Sequence, residues 1–231
     1  GNHLRRFQGY RRALAEYRGG VLALMMGYYT RGGGAIRSEH VAGAEPGAGQ
    51  QLGERPDDDG TPVGVQAARN LLSGVDHGVA VLRPSDRQLA HLLEAEGMQV
   101  AFCPGAETGM GTSLAFGVTA AQDEDGWLIA LADMPFIQHD TIHGVASLLR
   151  AGAPIAAPRY QGRRGHPVGF ARAFFHDLAQ LSSDQGAHPL LAAHAGRIQM
   201  LECEDPGIFA DIDTPSDLSG LEDAFSIRID T

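Results

Sequence analysis

An α/β fold, with a mostly parallel central sheet covered by helices on both faces as a three-layer sandwich, is the fold class this sequence predicts. Three observations carry that expectation. From Thr61 onward, short apolar segments alternate with segments of helical spacing, the pattern of βαβ units. The segment 127–132 (WLIALA) is apolar at every position, as a strand buried on both faces must be. The 231 residues are 43% hydrophobic, and the length suits one domain of about 200–250 residues.

Taken in order, residues 1–19 form a basic N-terminal extension with room for a short helix at 11–17. Residues 21–26 (VLALMM) read as a buried strand; the run is too short for a signal peptide and has no convincing cleavage site. Residues 28–60 are rich in Gly, Glu, Asp and Pro and read as a long loop, a kind of connection usually functional or disordered. Regular texture then begins, and residues 61–224 form the core of the single domain 1–231. Helices are expected at 63–72, 85–96 with Ser85 as its cap, 112–121, 140–150 with His139 ahead of it, 173–181, 187–194 and 216–224. Strands are expected at 78–82, 98–103, 127–132, 154–158, 168–171 and 198–203.

Charge and composition exclude several classes. The formal net charge of −10 repels phosphate backbones, so a general nucleic-acid binder is not expected. No apolar run reaches the ~18–20 residues of a membrane span. Cys103 and Cys203 form no C-x-x-C pair, so no disulfide framework is implied and a reducing cytoplasm fits. His139 and His143 have helical metal spacing but no third zinc ligand. No G-x-G-x-x-G follows a strand, which disfavours a dinucleotide-dependent redox enzyme.

Four motifs carry chemistry. In Leu131-Ala132-Asp133-Met134-Pro135 an apolar strand ends at an aspartate, and Pro135 keeps Met134 extended. Asp133 is thus presented where a sheet gathers ligands, and its carboxylate suits Mg²⁺ with substrate phosphates; a turn aspartate is the plain alternative. In Asp211-Ile212-Asp213-Thr214-Pro215 the two aspartates point the same way in an extended segment, ahead of a helix start at Thr214. Gly162-Arg163-Arg164-Gly165-His166-Pro167 places forked donors on a loop, suited to phosphate, or forms a solvated hairpin tip. Glu107-Thr108-Gly109-Met110-Gly111-Thr112-Ser113 brings small residues to a helix start, where free N–H groups can meet an anion.

The succession G-M-G-T-S-L, L-A-D-M-P-F, G-R-R-G-H-P-V-G-F, S-D-Q-G-A and D-I-D-T-P-S-D-L resembles the molybdenum cofactor cytidylyltransferases, a branch of the MobA-like NTP transferases. The resemblance runs from about Thr61 to Leu218. It implies a Rossmann-like fold of the GT-A type and transfer of a nucleoside monophosphate, commonly CMP from CTP, to the terminal phosphate of the molybdopterin cofactor, releasing pyrophosphate. It implies Mg²⁺ held by Asp133 with Asp211 and Asp213, nucleotide contacts from Gly111 and Ser113, and a pterin-facing loop of Arg164, Gly165, His166 and Pro167. The nucleotide would be CTP or GTP, and a molybdenum enzyme could be a further partner. An attacking phosphate is already ionised near neutral pH, so such chemistry needs alignment and charge neutralisation rather than a strong base.

The family opens with a loop of the type L-A-A-G-x-S-x-R-M-G-x-x-K. Here Gly27, Arg31 and Gly33 fall in register, but Met25 and Met26 replace the small residues, Tyr29 the serine and Ile36 the lysine, with Arg37 one place late. Bulky side chains where backbone must approach phosphate obstruct binding. A divergent loop, a binder or escort of the cofactor without catalysis, and a sequence error before about Pro56 all fit this stretch. A sugar-phosphate nucleotidyltransferase is a further alternative.

Overall fold

The computed structural model describes residues 21–26, 62–75, 77–182 and 184–212. The expectations for residues 1–20, for the loop 28–60, for Gly27, Arg31, Gly33 and Asp213, and for a helix at 216–224 lie outside them.

Strand β1 (Val21–Met26) is central. It pairs in parallel with β2 (Gly78–Leu82) on one side and β4 (Gly126–Leu131) on the other, and β2 pairs in parallel with β3 (Gln99–Phe102). Helices α1 (Val63–Gly74), α2 (Arg87–Ala95) and α3 (Met110–Ala120) make the crossovers. After β4 come α4 (His139–Arg150), β5 (Ile155–Tyr160), the two-residue β6 (Arg163–Arg164), β7 (Val168–Ala171), α5 (Phe175–Ala179), α6 (His188–Ala193) and β8 (Ile198–Glu202).

The sheet is wholly parallel only in its first half. Strand β7 inserts antiparallel between β4 and β5, β6 pairs antiparallel with β5, and β8 returns parallel on β5. The expected mostly parallel sheet is therefore corrected to a mixed one. The physical reason lies in the turn Gln161–Gly162, where both residues have positive φ (50° and 78°). Such a turn folds the chain straight back as a hairpin instead of through a crossover helix.

Strand alternation divides the core in two. Ala80, Leu82, Leu128 and Ala130 pack with Leu71, Leu93, Val145 and Leu149 of α1, α2 and α4. Val79, Val81, Trp127 and Ile129 pack with Leu114, Val118, Leu178 and Leu191 of α3, α5 and α6. Opposite faces of the same strands thus bury against separate helix layers.

Three local expectations change. Helix α2 starts at Arg87 rather than Ser85, because the Asp86 carboxylate turns back to accept from the Arg83 guanidinium at 3.1 Å. The segment read as one helix at 173–181 divides into a 3₁₀ turn at Arg172–Phe174 and α5. His139 is the first residue of α4, not ahead of it, and its ring stacks on His143 at 6.0 Å. No helix among the described residues is long and apolar enough to cross a membrane.

Candidate active site

Strand β4 delivers Asp133 to its position. The strand ends at Leu131, the chain turns, and Asp133 is left only 1% exposed. Its backbone carbonyl accepts a 2.8 Å hydrogen bond from the Ile212 amide. That bond seats the segment carrying Asp211 against the end of β4, so two aspartates 78 positions apart in sequence come to one cavity.

The hairpin β5–β6 brings the opposite wall. Gly165 donates to Pro158 O at 3.0 Å, and the His166 amide donates to Ile208 O at 3.1 Å. Only glycine fits at 165, since a Cβ there would stand 2.5 Å from Ile208 O. His166 is partly buried, with its Nδ1 out of reach of solvent and without a protein hydrogen-bond partner. Burial pushes the imidazole down to about 4; the Arg164 charge adds to that effect and the Asp211 carboxylate opposes it. The Arg163 guanidinium lies 4.4 Å over the Phe209 ring, a cation–π contact.

These walls enclose a cavity of about 430 Å³. Each of the four chemistry-bearing motifs reaches it, as does S-D-Q-G-A. Met110 and Leu114 come from the helix-start motif, Leu131, Asp133 and Met134 from the strand-end motif, and Arg164, Gly165 and His166 from the hairpin motif. Gln185 and Ala187 come from S-D-Q-G-A, and Asp211 from the last motif. Gly186 (φ 53°) packs so closely on Met110 that a Cβ would lie 2.9 Å from its sulfur, which holds two of these motifs together.

Some expected residues stand apart. Pro167 does not line the cavity. Gly111 and Ser113 lie in the first turn of α3 but are buried behind Met110 and Leu114. The Ser113 hydroxyl turns toward Cys103, whose thiol is pushed up, chiefly by burial. Gly27, Arg31, Gly33 and Asp213 are outside the described residues. Sequence reasoning overlooked Phe209 and Asp205. Asp205-Pro206 is a legible start signal for a helical turn, and the structure forms a 3₁₀ turn there, Pro206–Phe209, with Asp205 accepting from Gly207 N at 2.9 Å.

What the arrangement can do follows from its parts. Two carboxylates on one wall offer hard oxygen ligands; two arginines on the other offer donors to phosphate. A neutral imidazole offers one donor and one acceptor. Among the described residues no group of three or more His, Cys, Asp or Glu side chains is arranged to hold a metal ion. A cation here would take part of its coordination from water and substrate, as Mg²⁺ commonly does.

Residues 56–198 match the MobA-like NTP transferase domain. The match begins after β1 and ends before Asp211. The chain is 33% identical over 127 residues to the purine catabolism protein PucB of Bacillus subtilis, covering 54% of this chain and 61% of that protein, so it spans less than two thirds of that relative's length. It is 26% identical over 181 residues to the nicotine blue oxidoreductase of Paenarthrobacter nicotinovorans, covering 73% of this chain and 88% of that protein. Among solved structures, Rv0371c of Mycobacterium tuberculosis superposes with a TM-score of 0.67 at 21% identity, covering 89% of this chain and 99% of that one. A nucleotidyl transferase from Methanothermobacter does so with 0.68 at 20%, covering 90% and 99%. At those identities the likeness shows a shared α/β nucleotidyltransferase fold.

Proposed function

The chain belongs to the MobA-like NTP transferase domain family, and from that premise we propose that it transfers a nucleoside monophosphate, CMP from CTP, to the terminal phosphate of a molybdopterin-type cofactor, with pyrophosphate leaving. The observation that carries this reading is the convergence of Asp133 and Asp211 with Arg164 and His166 in one cavity. The acceptor phosphate arrives ionised, so no residue need remove a proton from it. The work left to the protein is alignment and charge compensation.

In this reading Asp133 and Asp211, with Asp213, hold Mg²⁺. Oxygen-only side chains on one wall fit that ion, and Rv0371c has been crystallised with manganese. When bound, the ion would neutralise the triphosphate and the charge that develops at phosphorus. Arg164 has no hydrogen bond or ion pair among the described residues and would take a phosphate oxygen of the acceptor. His166, neutral near pH 7, would bond an N–H or O–H of the acceptor rather than attract its charge. Strand β1 ends in register with Leu131 of β4, so the chain leaves it at the edge that carries Asp133. Gly27, Arg31 and Gly33 follow that point and would approach the nucleotide, with Gly111 and Ser113 behind the base. We read 1–231 as one domain of a cytoplasmic enzyme.

A second reading has a specific observation behind it, since a relative aligned over 88% of its length is called an oxidoreductase. In that case the cavity would serve a redox reaction instead, against which the missing G-x-G-x-x-G after a strand counts. Sugar phosphates are a third class of acceptor for the same transfer.

Calorimetric titration with CTP, then GTP, with and without Mg²⁺, tests the proposal. Mg²⁺-dependent binding of one nucleotide, lost in Asp133→Ala, supports it. A folded protein that binds neither nucleotide overturns the active enzyme and leaves a binder or escort of the cofactor. A protein that binds NADH or NADPH but no triphosphate selects the redox reading.

A further inference from the structure

Asp205 is as buried as Asp133, 1% exposed, and lies outside the cavity. Its carboxylate is held by three chain donors. Oδ2 accepts from the Gln138 amide at 2.9 Å and from the Thr141 hydroxyl at 2.7 Å, both at the start of α4. Oδ1 accepts from the Gly207 amide at 2.9 Å. One side chain therefore ties the segment after β8 to the junction between β4 and α4. The seam is backbone against backbone, since a Cβ on Gly207 would stand 2.2 Å from Phe136 O.

Everything that the 3₁₀ turn 206–209 and the segment after it supply to the cavity lies within seven residues of Asp205. Ile208 O receives the His166 amide, and Phe209 carries Arg163. Asp211 enters the cavity, and the Ile212 amide seats on Asp133 O. Only a carboxylate presents acceptors on both sides at once. An asparagine would turn its NH₂ toward at least one of the three donors, whichever way it is flipped.

We propose that Asp205 is a positioning residue, which through this turn sets where Asp211 and His166 stand relative to Asp133 and so sets the affinity of the acidic pair for a divalent cation. The cation half rests on the role proposed above for Asp133 and Asp211.

The test compares the full chain, Asp205→Asn and Thr141→Val by residue-resolved amide hydrogen exchange and by titration with Mn²⁺ alone. In Asp205→Asn the His166 and Ile212 amides should exchange about tenfold faster or more, while Val81 and Ile129 in the sheet keep their protection. The Mn²⁺ dissociation constant should rise about tenfold or more, the range for removing a group that orients a metal ligand. Thr141→Val deletes one donor and should give the same pattern at about threefold, and it decides the matter if Asp205→Asn does not fold. Unchanged exchange at His166 and Ile212 overturns the proposal, as does protection lost equally across the sheet, which would make Asp205 an ordinary folding residue. Released amides with unaltered Mn²⁺ affinity overturn the link to the cation. A wild-type chain that binds no Mn²⁺ sinks the cation role of Asp133 and Asp211, while the exchange pattern still judges whether Asp205 positions the turn.

Discussion

The two walls of the cavity are held in different ways. On the acidic wall, Asp133 is buried and its carbonyl is bonded to Ile212, while the turn that brings Asp211 is tied down by Asp205. On the basic wall, the hairpin β5–β6 exposes Arg163 and Arg164. Arg159 at its base is neutralised by Glu202, with Nε 2.6 Å from Oε1, and Arg163 leans on Phe209. Burial of Asp133 on the first wall couples its chemistry to folding, since a buried polar group must be satisfied or the fold loses stability, whereas Asp211 beside it is exposed. Exposure on the second leaves charge free to act with little effect on stability.

That contrast can be broken at graded positions. The largest effect is expected at Asp133. Asp133→Asn should lower nucleotidyl transfer, measured as pyrophosphate release, by about 100-fold or more, the scale for losing one main electrostatic contact to the transition state. A variant that keeps most of its activity would remove the acidic wall from the chemistry.

Gly165 comes next, because it joins the two walls. Gly165→Val places a Cβ 2.5 Å from Ile208 O, and backbone cannot yield as a side-chain tip does. A loss of about 2–3 kcal/mol in urea unfolding is expected, as for overpacking elsewhere. An unchanged midpoint would mean that the walls are not in close contact.

His166 should impose a pH dependence on stability. Its imidazole is pushed down to about 4 in the fold, against about 6.5 in an unfolded chain. Neutral in both states above pH 6.5, it costs nothing there. As pH falls below 6.5 the unfolded state takes up the proton first, so stability drops and continues to drop until the folded state also titrates near 4. The loss at pH 5 is about 2 kcal/mol. Urea midpoints from pH 7.5 to 5 should show that slope in the wild-type chain and a shallower one in His166→Gln. Parallel curves would place His166 in a wetter setting.

The smallest effect is expected on the basic wall. Phe209→Leu removes the ring beneath Arg163 and should raise KM for the phosphate-bearing acceptor about threefold, with kcat kept, on the scale of an exposed cation–π contact. A fall in kcat instead would show that Phe209 acts through Asp211, and that the two walls are less separate than their burial suggests.

Much of this molecule was legible before any coordinates. The bounds of β1, β2 and β7 agree with their sequence patterns, and most helices fall within a few residues of expectation, because apolar periodicity and buried runs report directly on local burial. Asp133 was legible as a strand-end carboxylate for the same reason, with Pro135 stopping the chain from becoming helix there. The hairpin was ambiguous. Gly162-Arg163-Arg164-Gly165 fits both a loop and a tip, and the structure makes Gln161–Gly162 the tip with the arginines beyond it in β6.

What local pattern alone determined was therefore the layering of helices and strands, and the chemical character of each motif. Tertiary structure decided the rest. It set β7 antiparallel beside β4, a long-range pairing that the local turn at Gln161–Gly162 does not by itself encode. It left Gly111 and Ser113 behind Met110 and Leu114, because which face of a helix start meets a cavity depends on what packs over it. It also brought Asp205, distant in sequence, to the start of α4. A carboxylate's role is set by the donors around it, and those donors are gathered only when the chain has folded.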